Sequence, residues 1–303
     1  MVVILSHTGY IRTQPLDEYL AHPNARLAMY LGGIDKIFVA STHDYVLCFT
    51  THGYVRWVSV NAVPQGDSVS CSQLFSMLGF DRERVGEIIS VLPPQFSDDQ
   101  FVFFVTANGT VKKTSVLEFA NIPKAGTVAI ALDEGDFLIG VALTDGKHDV
   151  MLFSNGGRAV RFDENDLRPC GRASRGVRGM KLTEGQKVIA LLVPENEQQS
   201  VLTATENGYG KRTHIAEYTR HGRGTQGMIA IQPSARNGKV VAAMMVVEDD
   251  EVRLIITPFR IIRTRVSDIR EMSRSTQGVT LVGLSEGEKL SSLEKLVKSI
   301  VEK

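Results

Sequence analysis

Short apolar runs recur along the chain, each followed by a turn and a second alternating run that opens on or near a basic residue. Val2-Val3-Ile4-Leu5 leads to Gly9-Tyr10-Ile11-Arg12, Tyr45 to Phe49 leads to Gly53-Tyr54-Val55-Arg56, and Phe101 to Val105 leads to Gly109-Thr110-Val111-Lys112-Lys113. The same phrase returns at Val150 to Phe153 with Gly157 and Arg161, and at Ser200 to Ala204 with Gly208, Lys211 and Arg212. Runs this short, rich in β-branched and aromatic residues and closed by glycine, read as strands. Asn108-Gly109, Asn155-Gly156 and Asn207-Gly208 lie at the joins, and Asn-Gly between two such runs is a strong hairpin signal because both turn positions favour positive φ.

The turn glycines Gly9, Gly53, Gly109, Gly157 and Gly208 are 44, 56, 48 and 51 residues apart. A sixth copy, Val252 to Ile256 followed by Arg263, carries Pro258-Phe259 in place of the glycine. Further apolar stretches begin after glycines in the later copies, at Gly126, Gly179, Gly227 and Gly278. Four strands in each of six units of about fifty residues predict an all-β fold of six four-stranded blades, propeller-like. The blades are expected at roughly 1–44, 45–93, 100–144, 149–194, 199–247 and 251–290, forming a single domain over 1–303. Leu290, Leu293, Leu296, Val297 and Ile300 fall at helical spacing, which predicts a short C-terminal exit helix over 291–303. A second helix is a candidate at Ser72 to Phe80.

Composition first argues against a nucleic-acid partner, since 34 Lys and Arg balance 34 Asp and Glu. Distribution reverses that inference. The stretches Arg168–Leu182, Lys211–Gly227 and Arg260–Arg274 hold 14 basic and 3 acidic residues in 47 positions, so the rest of the chain carries the compensating negative charge. These basic loops return at one phase of successive repeats, with glycines that let backbone approach a ligand. Arginine predominates, and its planar fork suits phosphate oxygens. The candidate DNA-binding residues are Arg12, Arg56, Lys112, Lys113, Arg161, Arg172, Arg175, Arg178, Lys211, Arg212, Arg220, Arg223, Arg263, Arg265 and Arg274. They are expected to hold a DNA duplex by its backbone, independent of sequence and sensitive to salt, along a basic rim.

The chain resembles the C-terminal domain of the DNA gyrase A protein. The resemblance rests on Ser41-Thr42-His43-Asp44-Tyr45-Val46-Leu47-Cys48-Phe49, Thr106-Ala107-Asn108-Gly109-Thr110-Val111-Lys112-Lys113-Thr114, Gly176-Val177-Arg178-Gly179, Thr203 to Thr213, Arg263-Thr264-Arg265-Val266-Ser267 and Ser275-Thr276-Gln277-Gly278-Val279. It implies a six-bladed β-pinwheel that binds and wraps double-stranded DNA in support of negative supercoiling. It also implies a holoenzyme that uses ATP and Mg outside this segment. The implied partners are the N-terminal breakage-reunion part of the gyrase A protein and the gyrase B protein, in the cytoplasm at the nucleoid. The family's first-blade box, Gln-Arg-Arg-Gly-Gly-Lys-Gly, is absent between Tyr19 and Ile34, where the chain reads Leu20 to Gly33 with Arg26 as its one arginine. That departure keeps open a diverged or topoisomerase IV-like domain that binds DNA without efficient wrapping. A protein-docking propeller is the remaining alternative.

Other chemistry is sparse. The seven histidines form no His-Glu-x-x-His pattern, and no Gly-x-x-x-x-Gly-Lys-Ser/Thr loop occurs. No catalytic site, metal site or cofactor is therefore expected within the segment. Cys48, Cys71 and Cys170 have neither disulfide nor zinc spacing and read as small buried hydrophobes. No apolar run approaches the ~18 residues of a membrane-spanning helix.

Overall fold

A computed structural model describes residues 1–6, 10–21, 34–65, 72–79, 88–258 and 260–296. Where the sequence leads to one domain, packing separates two compact units. One comprises Met1–Phe96, Phe119–Ala129 and Leu296–Lys303, the other Ser97–Glu118 and Ile130–Lys295.

The first unit holds two antiparallel sheets. In spatial order the first is Ile34–Val39, Val2–Ser6, Tyr10–Gln14 and Ser72–Gln73; the second is Thr127–Val128, Tyr54–Ser59, Tyr45–Thr50 and Ile88–Leu92. Their facing sides bury Val3, Leu5, Ile11, Val46, Cys48, Val58 and Val91 in one cluster.

The second unit holds four sheets. They are Leu138–Thr144, Phe101–Thr106, Thr110–Ser115 and Val177–Arg178; Val188–Leu192, Asp149–Ser154, Arg158–Asp163 and Met228–Ile229; Val240–Val246, Ser200–Thr205, Tyr209–His214 and Val279–Thr280; and the three-stranded Arg260–Arg265, Glu251–Thr257 and Lys289–Lys295. Apolar clusters lie between successive sheets, for example Phe103, Val105, Leu152, Val160 and Phe162 between the third and fourth. The strands Leu138–Thr144, Val188–Leu192, Val240–Val246 and Lys289–Lys295 pack against one another in succession. The opposite edges of these sheets therefore face away from that seam.

Sheets and sequence repeats are out of register by one strand, which corrects the expected blade boundaries. Each of the first five sheets takes three strands from its own repeat and a two-residue strand from the next. Val177–Arg178 pairs with Val111 and Thr110, Met228–Ile229 with Ala159 and Arg158, and Val279–Thr280 with Gly210 and Tyr209. The glycine before each of these three strands is required for this approach. At Gly227, φ is +67° and a Cβ would sit 2.1 Å from the Ala159 carbonyl oxygen; at Gly176 it would sit 2.4 Å from that of Val111. These glycines serve a backbone of the same chain, where the sequence suggested an external ligand.

The helix expected from residue 291 is a strand as far as Lys295; residues 297–303 lie outside the described residues. A register shift, or β-bulge, occurs where the third strand of every sheet meets the first. One extra residue on one strand resets the inward face, so buried positions on either side of the bulge fall three apart, as at Leu138 and Val141. Leu290 and Leu293 follow the same rule, and their spacing imitates a helical period. Within the other predicted helix, Ser72–Gln73 is strand and Leu74–Leu78 helical; Phe80 lies outside the described residues.

Candidate nucleic-acid interface

The fourth residue after the turn glycine has a shared task. Thr13 donates its hydroxyl to the Val63 carbonyl at 3.3 Å, and the Trp57 indole N–H donates to the Phe119 carbonyl at 3.0 Å. In the second unit, Lys113 Nζ reaches the Glu164 carbonyl at 3.4 Å, Arg161 those of Ile215 and Tyr218 at 3.3 Å each, and Arg212 Nε that of Ile269 at 2.7 Å. Every acceptor lies in or just after a 3-10 turn of the next repeat. These side chains clamp one repeat to the next.

The clamp in the fourth sheet is a buried Arg161–Asp149 pair joined by the exposed Glu197 and Arg220. Arg161 Nε meets Asp149 Oδ2 at 2.7 Å and its Nη2 meets Glu197 Oε1 at 2.6 Å, while Arg220 holds the other Asp149 oxygen at 2.6 Å. Burial acts to lower the Arg161 pKa, but the hydrogen bonds to Glu197 and Asp149 outweigh it and hold it above its ordinary value. The Arg161 bond in turn holds the Glu197 carboxyl below the usual range. Lys113 pairs with Glu164 at 3.2 Å, and Glu164 also accepts from Thr144 Oγ1 at 2.6 Å and the His148 backbone N–H at 3.0 Å.

One residue earlier, Lys112 and Lys211 point into the fold. Lys112 Nζ donates to the Arg172 carbonyl, and Lys211 Nζ to the carbonyls of Ser273 and Arg274, the latter at 2.6 Å. Desolvation lowers both lysines to a pKa of about 8. Arg12 in the first unit is buried as well.

Five of the sequence-selected residues, Arg12, Lys112, Lys113, Arg161 and Lys211, are therefore corrected. Their side chains are buried in the protein. Arg56, Arg172, Arg212 and Arg274 are partly buried, and Arg274 Nη1 donates to the Ile229 carbonyl at 2.9 Å.

The loops that lead into the donated strands carry the exposed cations. Loops 168–182 and 219–229 run against each other: the Gly224 N–H meets the Gly179 carbonyl at 2.6 Å, and that of Lys181 meets Thr225 at 2.8 Å. Arg223 bridges them, donating to the carbonyls of Arg178 and Asp166 at 3.1 and 3.2 Å. Arg175, Arg178 and Arg220 project from this joint, and Arg168 and Lys181, absent from the selected set, are exposed beside them. A cleft of about 430 Å³ opens here, lined by Arg168, Cys170, Ser174, Arg175 and Arg223 among others. Arg175 pairs with Asp133 at 2.9 Å, but both side chains are more than half exposed, so the pair is weak and exchangeable. Arg263 and Arg265 are exposed on the sixth sheet, Arg263 beside Glu251. Arg236, which the pattern of basic loops did not single out, lies 4.5 Å from the Tyr209 ring.

Cys48 is fully buried, and desolvation pushes its thiol up to about 12. Cys170 is half-exposed and takes a 2.9 Å hydrogen bond from Ser174 Oγ, which departs from the buried reading; Cys71 lies outside the described residues. Among the described residues no group of three or more His, Cys, Asp or Glu could hold a metal ion, and no helix is long and apolar enough to cross a membrane. The box-equivalent segment, with Arg26, falls within 22–33, outside the described residues.

Comparison with known proteins gives a consistent assignment. The model of the DNA gyrase C-terminal domain, β-propeller, matches residues 44–66, 100–145, 148–195, 199–252 and 260–296. The DNA gyrase A protein of Escherichia coli (strain K12) is 42% identical over 310 residues, covering 100% of this chain and 35% of that protein. For its counterpart in Neisseria gonorrhoeae the identity is 40%, with 98% and 38% covered. The chain thus spans a little over a third of the length of these relatives. Among solved structures, the C-terminal domain of DNA topoisomerase IV matches with TM-score 0.88 and 25% identity, over 97% of this chain and 92% of that one. The DNA gyrase A C-terminal domain matches with TM-score 0.73 and 24% identity, over 98% and 99%.

Proposed function

Because the chain belongs to the DNA gyrase C-terminal domain family, we propose that it is the DNA-binding, non-catalytic part of a gyrase A protein, holding duplex DNA by phosphate contacts. Its partners in this reading are double-stranded DNA, the breakage-reunion part of the same gyrase A protein and the gyrase B protein. ATP and Mg act elsewhere in that holoenzyme, in the cytoplasm at the nucleoid. The observation that carries the reading is the joined pair of Arg-Gly loops, where Arg168, Arg175, Arg178, Lys181 and Arg220 project around Arg223. Their guanidinium groups suit phosphate oxygens, and weak exposed pairs such as Arg175–Asp133 can be exchanged for them. Arg263 and Arg265 extend the set, whereas the buried clamps position the loops without touching DNA.

The test replaces Arg168, Arg175, Arg178 and Lys181 by glutamine and measures duplex affinity across a salt series. Loss of four phosphate contacts lowers the slope of log K against log salt by about 3 to 4. An unchanged affinity and slope, with thermal stability retained, would sink the reading.

A second reading, binding without efficient wrapping, is favoured by the missing first-blade box in Leu20 to Gly33 and by the fold likeness of TM-score 0.88 to the topoisomerase IV domain. Strong positive writhe imposed on relaxed circular DNA by this chain would exclude it.

A further inference from the structure

The sixth sheet is the exception to strand donation. Among the described residues no strand pairs with the outer edge of Arg260–Arg265, whereas the equivalent edge of each of the other five sheets receives a two-residue strand. By hairpin register, Arg263 opposite Arg253 corresponds to Arg161 opposite Met151. Arg260 and Ile261 therefore correspond to Arg158 and Ala159, the pair that receives Ile229 and Met228. Arg263 stands at the clamp position but reaches only Glu251 on its own sheet, with two thirds of its side chain exposed. Ile261, at 57% the most exposed of the large hydrophobic residues described, lies on the same open strand.

We propose that this edge is a protein interaction surface that takes an extended acidic segment of a partner as its fourth strand, in the antiparallel register of the five sister edges. An unpaired edge presents main-chain donors and acceptors ready for such addition. The sister edges of the third to fifth sheets give the occupant's backbone pattern: a glycine, then an apolar residue, Val177, Met228 or Val279, opposite the position of Ile261. Charge gives its side chains. Arg265 and Arg270 are exposed without an ion-pair partner among the described residues, and Arg260 and Arg263 share the strand. A second copy of the chain is the wrong occupant. Antiparallel self-pairing about the strand centre sets Arg260 opposite Arg265, and like charges directly opposed destabilise a sheet.

The probe is the peptide acetyl-Glu-Thr-Glu-Gly-Val-Glu-amide, written to lie antiparallel to Arg265 through Arg260. Binding is followed by fluorescence anisotropy and by amide hydrogen exchange of the 303-residue chain without DNA, so failure here leaves the DNA reading untouched. The expected result is saturable binding with exchange slowed about tenfold or more at Arg260–Arg265 alone. N-methylation of the peptide's valine, which leaves the protein unaltered, should weaken binding about tenfold through lost main-chain bonding, and Arg265→Glu should also weaken it severalfold. No saturable binding, equal binding of the N-methylated peptide, or protection outside this strand overturns the proposal. Protection that instead grows with protein concentration in the absence of peptide makes a second copy the occupant, and overturns it as well.

Discussion

Arg161→Met distinguishes a structural clamp from a DNA contact. Methionine keeps an apolar stem in place but removes the guanidinium that holds two buried carbonyls, Ile215 and Tyr218, and one oxygen of buried Asp149. Glu197 is 61% exposed, so that pair adds at most about 1 kcal/mol. Asp149 keeps Arg220 at 2.6 Å on its other oxygen and is not left wholly unpaired. The main cost is the orphaned Tyr218 carbonyl and a weakened carboxylate, about 3 kcal/mol, since the Ile215 carbonyl keeps the Tyr218 N–H at 2.9 Å. For a unit of this size such a loss lowers Tm by roughly 6–12 °C, measured by differential scanning calorimetry. DNA affinity measured below the transition should keep its wild-type salt slope. A wild-type Tm accompanied by a slope reduced by about 1 would refute the clamp and return Arg161 to the DNA surface.

Three further outcomes are expected. Gly227→Ala, with a Cβ 2.1 Å from the Ala159 carbonyl oxygen at φ +67°, should cost about 2–5 kcal/mol in denaturant unfolding, whereas Gly222→Ala, with nothing within 4 Å, should cost little. Lys112 and Lys211 have folded pKa values lowered to about 8, so between pH 8 and the unfolded lysine value of about 10.4 the unfolded chain binds more protons and stability rises with pH; Lys112→Met and Lys211→Met should each flatten that rise in calorimetry across the window. In a chain carrying Cys71→Ser, iodoacetamide should label half-exposed Cys170 well before Cys48, whose buried thiol is pushed up to about 12, as peptide mass mapping would read.

The hairpins are legible in the sequence because Asn-Gly turns and β-branched runs encode local geometry. Strand donation is not, since a two-residue strand such as Val177–Arg178 carries no periodicity. The C-terminal strand reads as a helix because a bulge places Leu290 and Leu293 three apart on one inward face. The basic phase of the repeat points to DNA because a cation's type suggests the surface, yet Thr13 and Trp57 occupy the same position as Lys113, Arg161 and Arg212. What those five share is a hydrogen-bond donor, and that common property is the available sign of an inward role. The exposed arginines are legible from density and phase, but those two signals do not separate Arg175 and Arg178 from the partly buried Arg172 and Arg274 of the same loops.

The one-strand offset between repeat and sheet bears on how such a chain can change length. Each internal repeat both lends a strand backwards and borrows one forwards. Deleting or duplicating a whole fifty-residue unit rejoins a lender to a borrower, and no raw edge opens at the splice. Blade number can then change by whole units, one recombination at a time, without disturbing the pairing of the repeats on either side of the splice.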